Sequence, residues 1–373
     1  MKVARIDAFV YRAPIEVPLV ASFGAMRDRP ALFVRATDAD GAEGWGEVWC
    51  NFPTVGAEHR ARLIAETLAP LVVGRTWDGP QQVFRELTAR TEVLAIQSGE
   101  PGPIAQAIAG IDLALWDLSA RAAGEPLHRH LGGAGKVRVP VYASGINPDA
   151  PERVVAAKRD EGYRAFKLKV GFGRETDLRN LAALRELVGE DGALMIDANQ
   201  AWSIEEAAEM ADLCAPFAPQ WLEEPVRADV EPGRWAELAR RSPIPLAAGE
   251  NIRGESAFEA AITGMGLRYL QPDIGKWGGI SACLPICRRA LAENLVYCPH
   301  WLGGGIGLVA SLHLLAAVGG DGLLEIDSNP NPLRERILDR LGPIVDGTIA
   351  LPAGSGLGIE VPMEDFERYR VRL

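Results

Sequence analysis

No run in the 373-residue sequence is apolar for long enough to span a bilayer, and the most apolar stretch, 308–318, is interrupted by His313. The opening residues, Met-Lys-Val-Ala-Arg-Ile-Asp, lack the apolar core of a signal peptide, so the chain reads as cytoplasmic. Positive charge is also short. Lysine and arginine number 39 against 50 aspartates and glutamates, a net charge of −11. Such a surface repels phosphate backbones and anionic lipid, so neither nucleic acid nor membrane is an expected partner. The five cysteines (50, 214, 283, 287 and 298) form no C-x-x-C pair and are odd in number, which argues for reduced thiols. Cys283 and Cys287 are helix-spaced and expected to be buried. The glycine run at 303–307 has no G-x-G-x-x-G register and no G-K-[ST], so a nucleotide loop is not expected. Close packing explains it better than backbone N–H groups held for a carboxylate at a helix start. What is present is ordinary and ample: 48% hydrophobic and 24% charged residues, enough for a sizeable core.

The first 125 residues read as strands followed by helices. Strands are expected at 3–12, 31–36 and 44–48, the last two joined by a turn at Asp40-Gly41. Helices are expected around 57–72, 81–95 and 104–123, the last with Ile104, Ile108, Ile111 and Leu115 on one face and Gly124 at its stop. After Pro140 the pattern becomes a regular alternation. Short apolar strands fall at 139–143, 165–170, 193–196, 221–222, 246–248, 269–270, 295–298 and 323–326, with helical stretches between them. One helix opens with Ser203 and Glu206, a capping-box pair. Eight strands alternating with helices over roughly 200 residues fit a (β/α)8 barrel. The chain is read as α/β: an α+β capping domain at 1–125, a barrel at 126–340 and a C-terminal segment, 341–373, packing back on the capping domain.

Most of these strands end in a polar or charged residue: Lys169, Asp197, Glu223, Glu250, Asp273, His300 and Glu325, separated by 28, 26, 27, 23, 27 and 25 residues. One βα unit separates each pair, so all seven meet on the C-terminal face, where barrel enzymes keep their active sites. Asp197, Glu223 and Glu250 come from three consecutive strands. Any one of them alone suits a helix cap, but three converging carboxylates repel one another unless a cation sits among them. Oxygen-only donors suit Mg²⁺. Glu224 is expected to point away, because strand side chains alternate. Lys167 and Lys169 share one side of an apolar strand, and each disfavours the other's ammonium form, lowering the pKa toward that of a useful base. Asp273 and His300 lie on adjacent strands, where an aspartate fixes the imidazole tautomer for proton transfer. Lys276 is a competing base.

These segments resemble the enolase superfamily, and within it the mandelate racemase-like group of the mandelate racemase/muconate lactonizing enzyme family, over essentially the whole chain. The matching residues are Lys167-Leu-Lys169, Asp197-Ala-Asn199, Glu223-Glu-Pro225, Gly249-Glu250, Asp273 before Gly278-Gly279, and Pro299-His300. The resemblance implies a modified (β/α)8 TIM barrel under an α+β cap, with Mg²⁺ on Asp197, Glu223 and Glu250. It implies Lys169 as one base with Lys167 beside it, an Asp273–His300 dyad as the second, and Glu325 as hydrogen-bond donor to the substrate carboxylate. The chemistry implied is α-proton abstraction next to a carboxylate through an enediolate. Muconate-lactonizing relatives carry a lysine where this chain has Asp273, which favours the racemase-like group. Dehydration of a hydroxylated (sugar) acid to a 2-keto-3-deoxy acid is the expected reaction, with racemisation or epimerisation of an α-hydroxy acid as the alternative. A Schiff-base aldolase using Lys169, or a non-catalytic barrel, is the reading from other classes. Expected substrate contacts are Phe23, Arg27 and Asn51 in the capping loops, with Asn199 and Trp301 beside the catalytic positions. A small carboxylate is the expected partner, and the protein is expected to be a homo-oligomer.

Overall fold

A computed structural model describes residues 1–21, 24–190 and 192–373. The chain opens with a three-stranded antiparallel sheet, β1 (Val3–Ala21), β2 (Gly24–Asp38) and β3 (Glu43–Val48). The first two strands are far longer than the sequence suggests. Pro14, Pro18 and Pro30 mask the pattern there, and the ladder is irregular between Pro14 and Leu19, where proline can be tolerated. Helices at 56–72, Pro80–Ser98 and Pro101–Ala122 follow. The last packs on the sheet with Ile104, Ile108, Ile111 and Leu115 all buried.

Eight parallel strands then curl into the modified TIM barrel: β4 (Arg138–Ile146), β5 (Ala165–Lys169), β6 (Ala193–Asp197), β7 (Leu222–Glu223), β8 (Leu246–Ala248), β9 (Tyr269–Leu270), β10 (Val296–Tyr297) and β11 (Leu324–Asp327). Neighbours in sequence pair around the sheet, and β11 returns to β4 in parallel register, Leu324 opposite Val141. Between β10 and β11 the seam is bridged by Leu323 N–H to Cys298 Sγ at 3.4 Å and by Trp301 N–H to Glu325 Oε2 at 3.1 Å. Tyr142, Ala165, Met195, Trp221, Ala247 and Cys298 fill the barrel interior as a buried cluster. Helices cover the outside, and the one at Ile204–Cys214 begins with the Ser203–Glu206 capping box. A short strand, β12 (Thr348–Ala350), pairs antiparallel with β4, and β13 (Arg370–Val371) adds a fourth strand to the first sheet by pairing with β1. All five cysteines are free and buried. No helix among the described residues is long and apolar enough to cross a membrane.

The cap is fastened to the barrel by buried charge. Arg29 on β2 reaches Asp327 at the end of β11 (2.6 Å), and Arg334 binds the same oxygen at 3.0 Å. Burial alone pushes the Asp327 carboxyl up, but Arg29 and Arg334 more than offset it and leave it at about 2. Asp327→Asn strands two guanidinium groups in the interior, so a loss of about 3–5 kcal/mol is expected. Denaturant titration of the two proteins at neutral pH measures it. Because the folded pKa lies below the ordinary 3.8, the contribution is complete above pH ~4 and fades as pH falls toward 2. The gap between wild type and variant should shrink over that window.

Candidate active site

The strand-end residues do meet on one face. Lys169, Asp197, Glu250, His300 and Glu325 line a single cavity at the C-terminal ends of the barrel strands, roofed by Leu19, Met26, Trp49 and Phe52 from the cap. Register explains the convergence: Lys169 is paired with Asp197 and Asp197 with Glu223, all on the inward side of the parallel ladder. Gly249 lets the chain turn before Glu250. Its φ is +154°, and a Cβ there would sit 2.5–2.6 Å from the backbone of Gln271.

Within this face the polar groups pair closely. Lys169 Nζ lies 2.7 Å from Asp197 Oδ2 and 2.5 Å from Asn199 Oδ1. Lys167 is wholly buried against Glu223, against Glu325 at 2.8 Å and within 3.7 Å of Asp197. His300 Nδ1 is 2.7 Å from Asp273 Oδ2, while its Nε2 contacts Glu250. Asp273 Oδ1 is itself held by the N–H groups of Gly275 (2.8 Å) and Lys276 (3.0 Å). An ionised carboxylate can only accept, so both ring nitrogens donate, Nδ1–H to Asp273 and Nε2–H to Glu250. Burial disfavours the His300 imidazolium, but Glu250, Glu325 and Asp273 outweigh it and raise its pKa well above the ordinary value.

The arrangement differs from expectation in three places. The two lysines do not depress each other into bases. Burial disfavours the Lys169 ammonium and Lys167 adds to that effect, but Asp197 outweighs both and raises its pKa. Lys167 is raised well above the ordinary value because Glu223 and Glu325 overcome its burial. Glu325, expected to donate to a substrate carboxylate, is engaged by its protein neighbours as an acceptor. Ser144 Oγ–H, Trp301 N–H and Lys167 all donate to it, and Lys167 and His300 more than offset its burial, holding its carboxyl low. Glu224 does not turn away. Its φ of +36° breaks the strand alternation, Asn251 Nδ2 donates to its Oε2 at 2.7 Å, and its carboxyl is pushed up to about 8 by burial and by Glu250.

The expected substrate contacts divide. Asn199 lines the cavity. Arg27 is exposed and lies outside it; Met26 takes the inward place. Asn51 is buried and donates instead to the Leu302 carbonyl at 2.6 Å. Trp301 is also buried, its Nε1–H bonded to the Gly304 carbonyl at 2.9 Å. Phe23 lies outside the described residues. Sequence reasoning missed Ser144, Asn147 and Asn329 on the wall. Ser144 lies near the C-terminal end of β4, Asn147 and Asn329 sit just past the ends of β4 and β11, and none carries a charge to mark it. Lys276 lines the cavity too, 4.7 Å from the Trp49 ring centre and 3.6 Å from Glu250.

The donor set suits a hard divalent cation. Six acidic side chains (Asp197, Glu223, Glu224, Glu250, Asp273 and Glu325) meet three lysines (167, 169 and 276) and one imidazole. Burial and neighbouring carboxylates push Glu223 up to about 7 and Glu224 up to about 8. Part of the acid excess is thus relieved by protonation, which a bound cation would replace. Glu224 Oε1 is buried without a hydrogen-bond partner. In this conformation, however, no three carboxylate, thiol or imidazole groups among the described residues close on a single point. The reason is local: Glu223 is drawn to Lys167, Trp221 and Gln271, Asp197 to Lys169, and Glu250 to His300. Asp197, Glu223 and Glu250 are thus gathered on one face with their oxygens engaged by ammonium, amide, indole and imidazole groups that a cation would have to displace.

Comparison with known proteins agrees with this architecture. Residues 5–132 match the family described as mandelate racemase / muconate lactonizing enzyme, N-terminal domain, and residues 150–365 match enolase C-terminal domain-like. The chain is 53% identical to a mandelate racemase/muconate lactonizing enzyme from Bordetella bronchiseptica RB50, covering 99% of both chains with a TM-score of 0.94. It is 29% identical to a racemase from Streptomyces coelicolor A3(2) solved with bound magnesium, covering 99% and 100% of the two chains (TM-score 0.87). Among curated relatives, D-galactarolactone cycloisomerase of Agrobacterium fabrum is 30% identical over 100% of this chain and 99% of its own. Arabinonate dehydratase of Saccharolobus solfataricus is 28% identical over 90% and 89%. The chain belongs to the mandelate racemase/muconate lactonizing enzyme family of the enolase superfamily.

Proposed function

We propose that this protein removes the α-proton of a hydroxylated carboxylate and expels the β-oxygen, dehydrating an acid sugar to a 2-keto-3-deoxy acid. The observation that carries this reading is that two proton carriers, Lys169 on β5 and His300 after β10, line one cavity from well-separated strands of the barrel. A substrate α-carbon between them has a base on each side. Mg²⁺ held by Asp197, Glu223 and Glu250 would neutralise the charge that grows on the substrate carboxylate. One of Lys169 and His300, in its neutral form, takes the α-proton. The other gives a proton to the departing β-hydroxyl, the C–O bond breaks, water leaves, and the enol tautomerises to the keto acid. Asp273 keeps the His300 tautomer fixed. Leu19, Met26, Trp49 and Phe52 shield the site from bulk water.

A second reading has a specific observation behind it, the end-to-end match to a lactone cycloisomerase. If the β-oxygen belongs to a ring, the same elimination opens that ring and no water is lost. Incubating the Mg²⁺-loaded enzyme in D₂O with a library of acid sugars, their lactones and simple α-hydroxy acids separates the cases. A keto-acid product lighter than its substrate by one water is expected. A keto acid isomeric with a lactone substrate establishes ring opening instead. Inversion of an α-hydroxy acid with no keto acid from any member of the library overturns both in favour of a racemase.

A further inference from the structure

The Asp273–His300 pair stands on unusually little barrel. The strands before it, β9 and β10, are two residues each, sharing two register pairs, and both catalytic side chains lie three residues past their strand ends. Such short ladders cannot by themselves fix an imidazole to within a fraction of an ångström. The cap supplies the missing contacts. Glu47 on β3, itself buried, accepts hydrogen bonds from Gly304 N–H and Gly307 N–H (2.9 Å), at the start of the helix Gly305–Val318 that follows His300. A Cβ at Gly304 would press on Glu47 and one at Gly307 would overlap the Trp301 ring, so the glycine run is what admits this close approach. Asn51 fastens the Leu302 carbonyl, which lies between His300 and Gly304 in the chain. On the other half of the pair, Asp112 of the cap helix accepts Ile280 N–H (2.7 Å) and Ser281 N–H (3.0 Å), opening the helix Gly279–Ala292 that follows Asp273. Trp49 N–H reaches the Gly275 carbonyl at 3.4 Å.

We propose that Glu47 is a positioning residue: with Asp112 and Asn51 it clamps the loops after β9 and β10 to the cap, so that Asp273 and His300 keep their 2.7 Å hydrogen bond. Two buried acidic side chains of the cap thus sit at the N-termini of the two helices that carry the dyad loops. Burial there pushes Glu47 up to about 8 and Asp112 up to about 7, while backbone N–H groups and the helix dipole pull the other way. The importance of the clamp rests on the role given to His300 above, but its test does not.

The test uses full-length enzyme with Mg²⁺, labelled with ¹⁵N only in its five histidines. The His300 Nδ1–H, hydrogen-bonded to a carboxylate, gives a far-downfield proton resonance that His300→Asn identifies by its loss. In Glu47→Gln, which keeps the volume but points an amide NH₂ at backbone donors, that resonance is expected to move and its exchange with water to quicken about tenfold or more, while the other four imidazoles stay in place. Displacements of ~1 Å at such groups cost on the order of a hundredfold in rate. Asn51→Ala should act in the same direction and decides the matter if Glu47→Gln does not fold. An unchanged His300 resonance and exchange rate overturns the proposal. So does an equal disturbance of all five imidazoles, which would mean Glu47 only holds the two domains together. If the library screen yields no α-proton chemistry while the NMR result holds, the functional reading fails and the clamp stands.

Discussion

Lys169→Ala and His300→Asn are each expected to lower turnover by about 10²–10⁴-fold, the usual worth of a positioned acid or base. Neither loss should reflect unfolding. Lys169 is partly exposed and its hydrogen bonds among the described residues go to Asp197 and Asn199. His300, though buried, sits on the loop beyond β10 rather than in a strand or helix. In D₂O each variant should retain exchange of the α-proton that its surviving base can reach, so the two variants are expected to be complementary in stereochemistry. Asp273→Asn should follow His300→Asn, because the imidazole loses its orienting acceptor. A His300→Asn enzyme with normal turnover transfers that role to Lys276, which lines the same cavity. Lys167 behaves differently. It is the buried counter-ion of Glu223 and Glu325, so Lys167→Met should fail to fold stably rather than merely lose activity.

Chelation is expected to abolish activity entirely and Mg²⁺ to restore it, since the charge that grows on the substrate carboxylate would lose its counter-ion. Full turnover in metal-free enzyme would end the Mg²⁺ assignment. The cation should also raise stability by RT ln(1 + [L]/Kd), about 2.7 kcal/mol at a hundredfold excess over Kd. Thermal or denaturant unfolding with and without Mg²⁺ reads this without a substrate. Glu250→Gln is the clean variant, because Glu250 sits on the loop beyond β8 and its polar partners among the described residues are His300, Lys276 and Asn251. It should lose most of the Mg²⁺-dependent stabilisation while unfolding normally in chelator. Glu223→Gln is a poor substitute. Although it stands at a strand end, Glu223 lies at the centre of the buried network, bound by Lys167, Trp221 Nε1–H (3.1 Å) and Gln271 Nε2–H (2.6 Å). An amide there faces an ammonium and costs folding as well as metal affinity.

All eight barrel strands and the seven phased residues were legible in the sequence, because a βα unit is a local object. Its length sets the spacing of about 26 residues, and inward side chains follow from strand alternation. The capping box at Ser203, the Ile104–Leu115 face and the burial of Cys283 and Cys287 were legible for the same reason. What depended on neighbours distant in sequence was not. The lysine pair was judged against itself along one strand, whereas its charge state is set by carboxylates from β6, β7 and β11. Glu224 followed the alternation rule on paper and escaped it through one positive φ. The glycine run does pack closely, but it also does what the sequence reading ranked second, holding a carboxyl group on backbone N–H groups at a helix start. That group, Glu47, lies more than 250 residues earlier. Arg29, Glu47, Asn51 and Asp112 have no chemistry-bearing spacing at all, and become part of the site's support only when cap and barrel dock. Sequence periodicity thus determined which residues face the barrel axis. Their charge and their fixation were decided by the tertiary structure, since Coulomb interactions and buried hydrogen bonds act through space, between groups whose separation along the chain carries no signal.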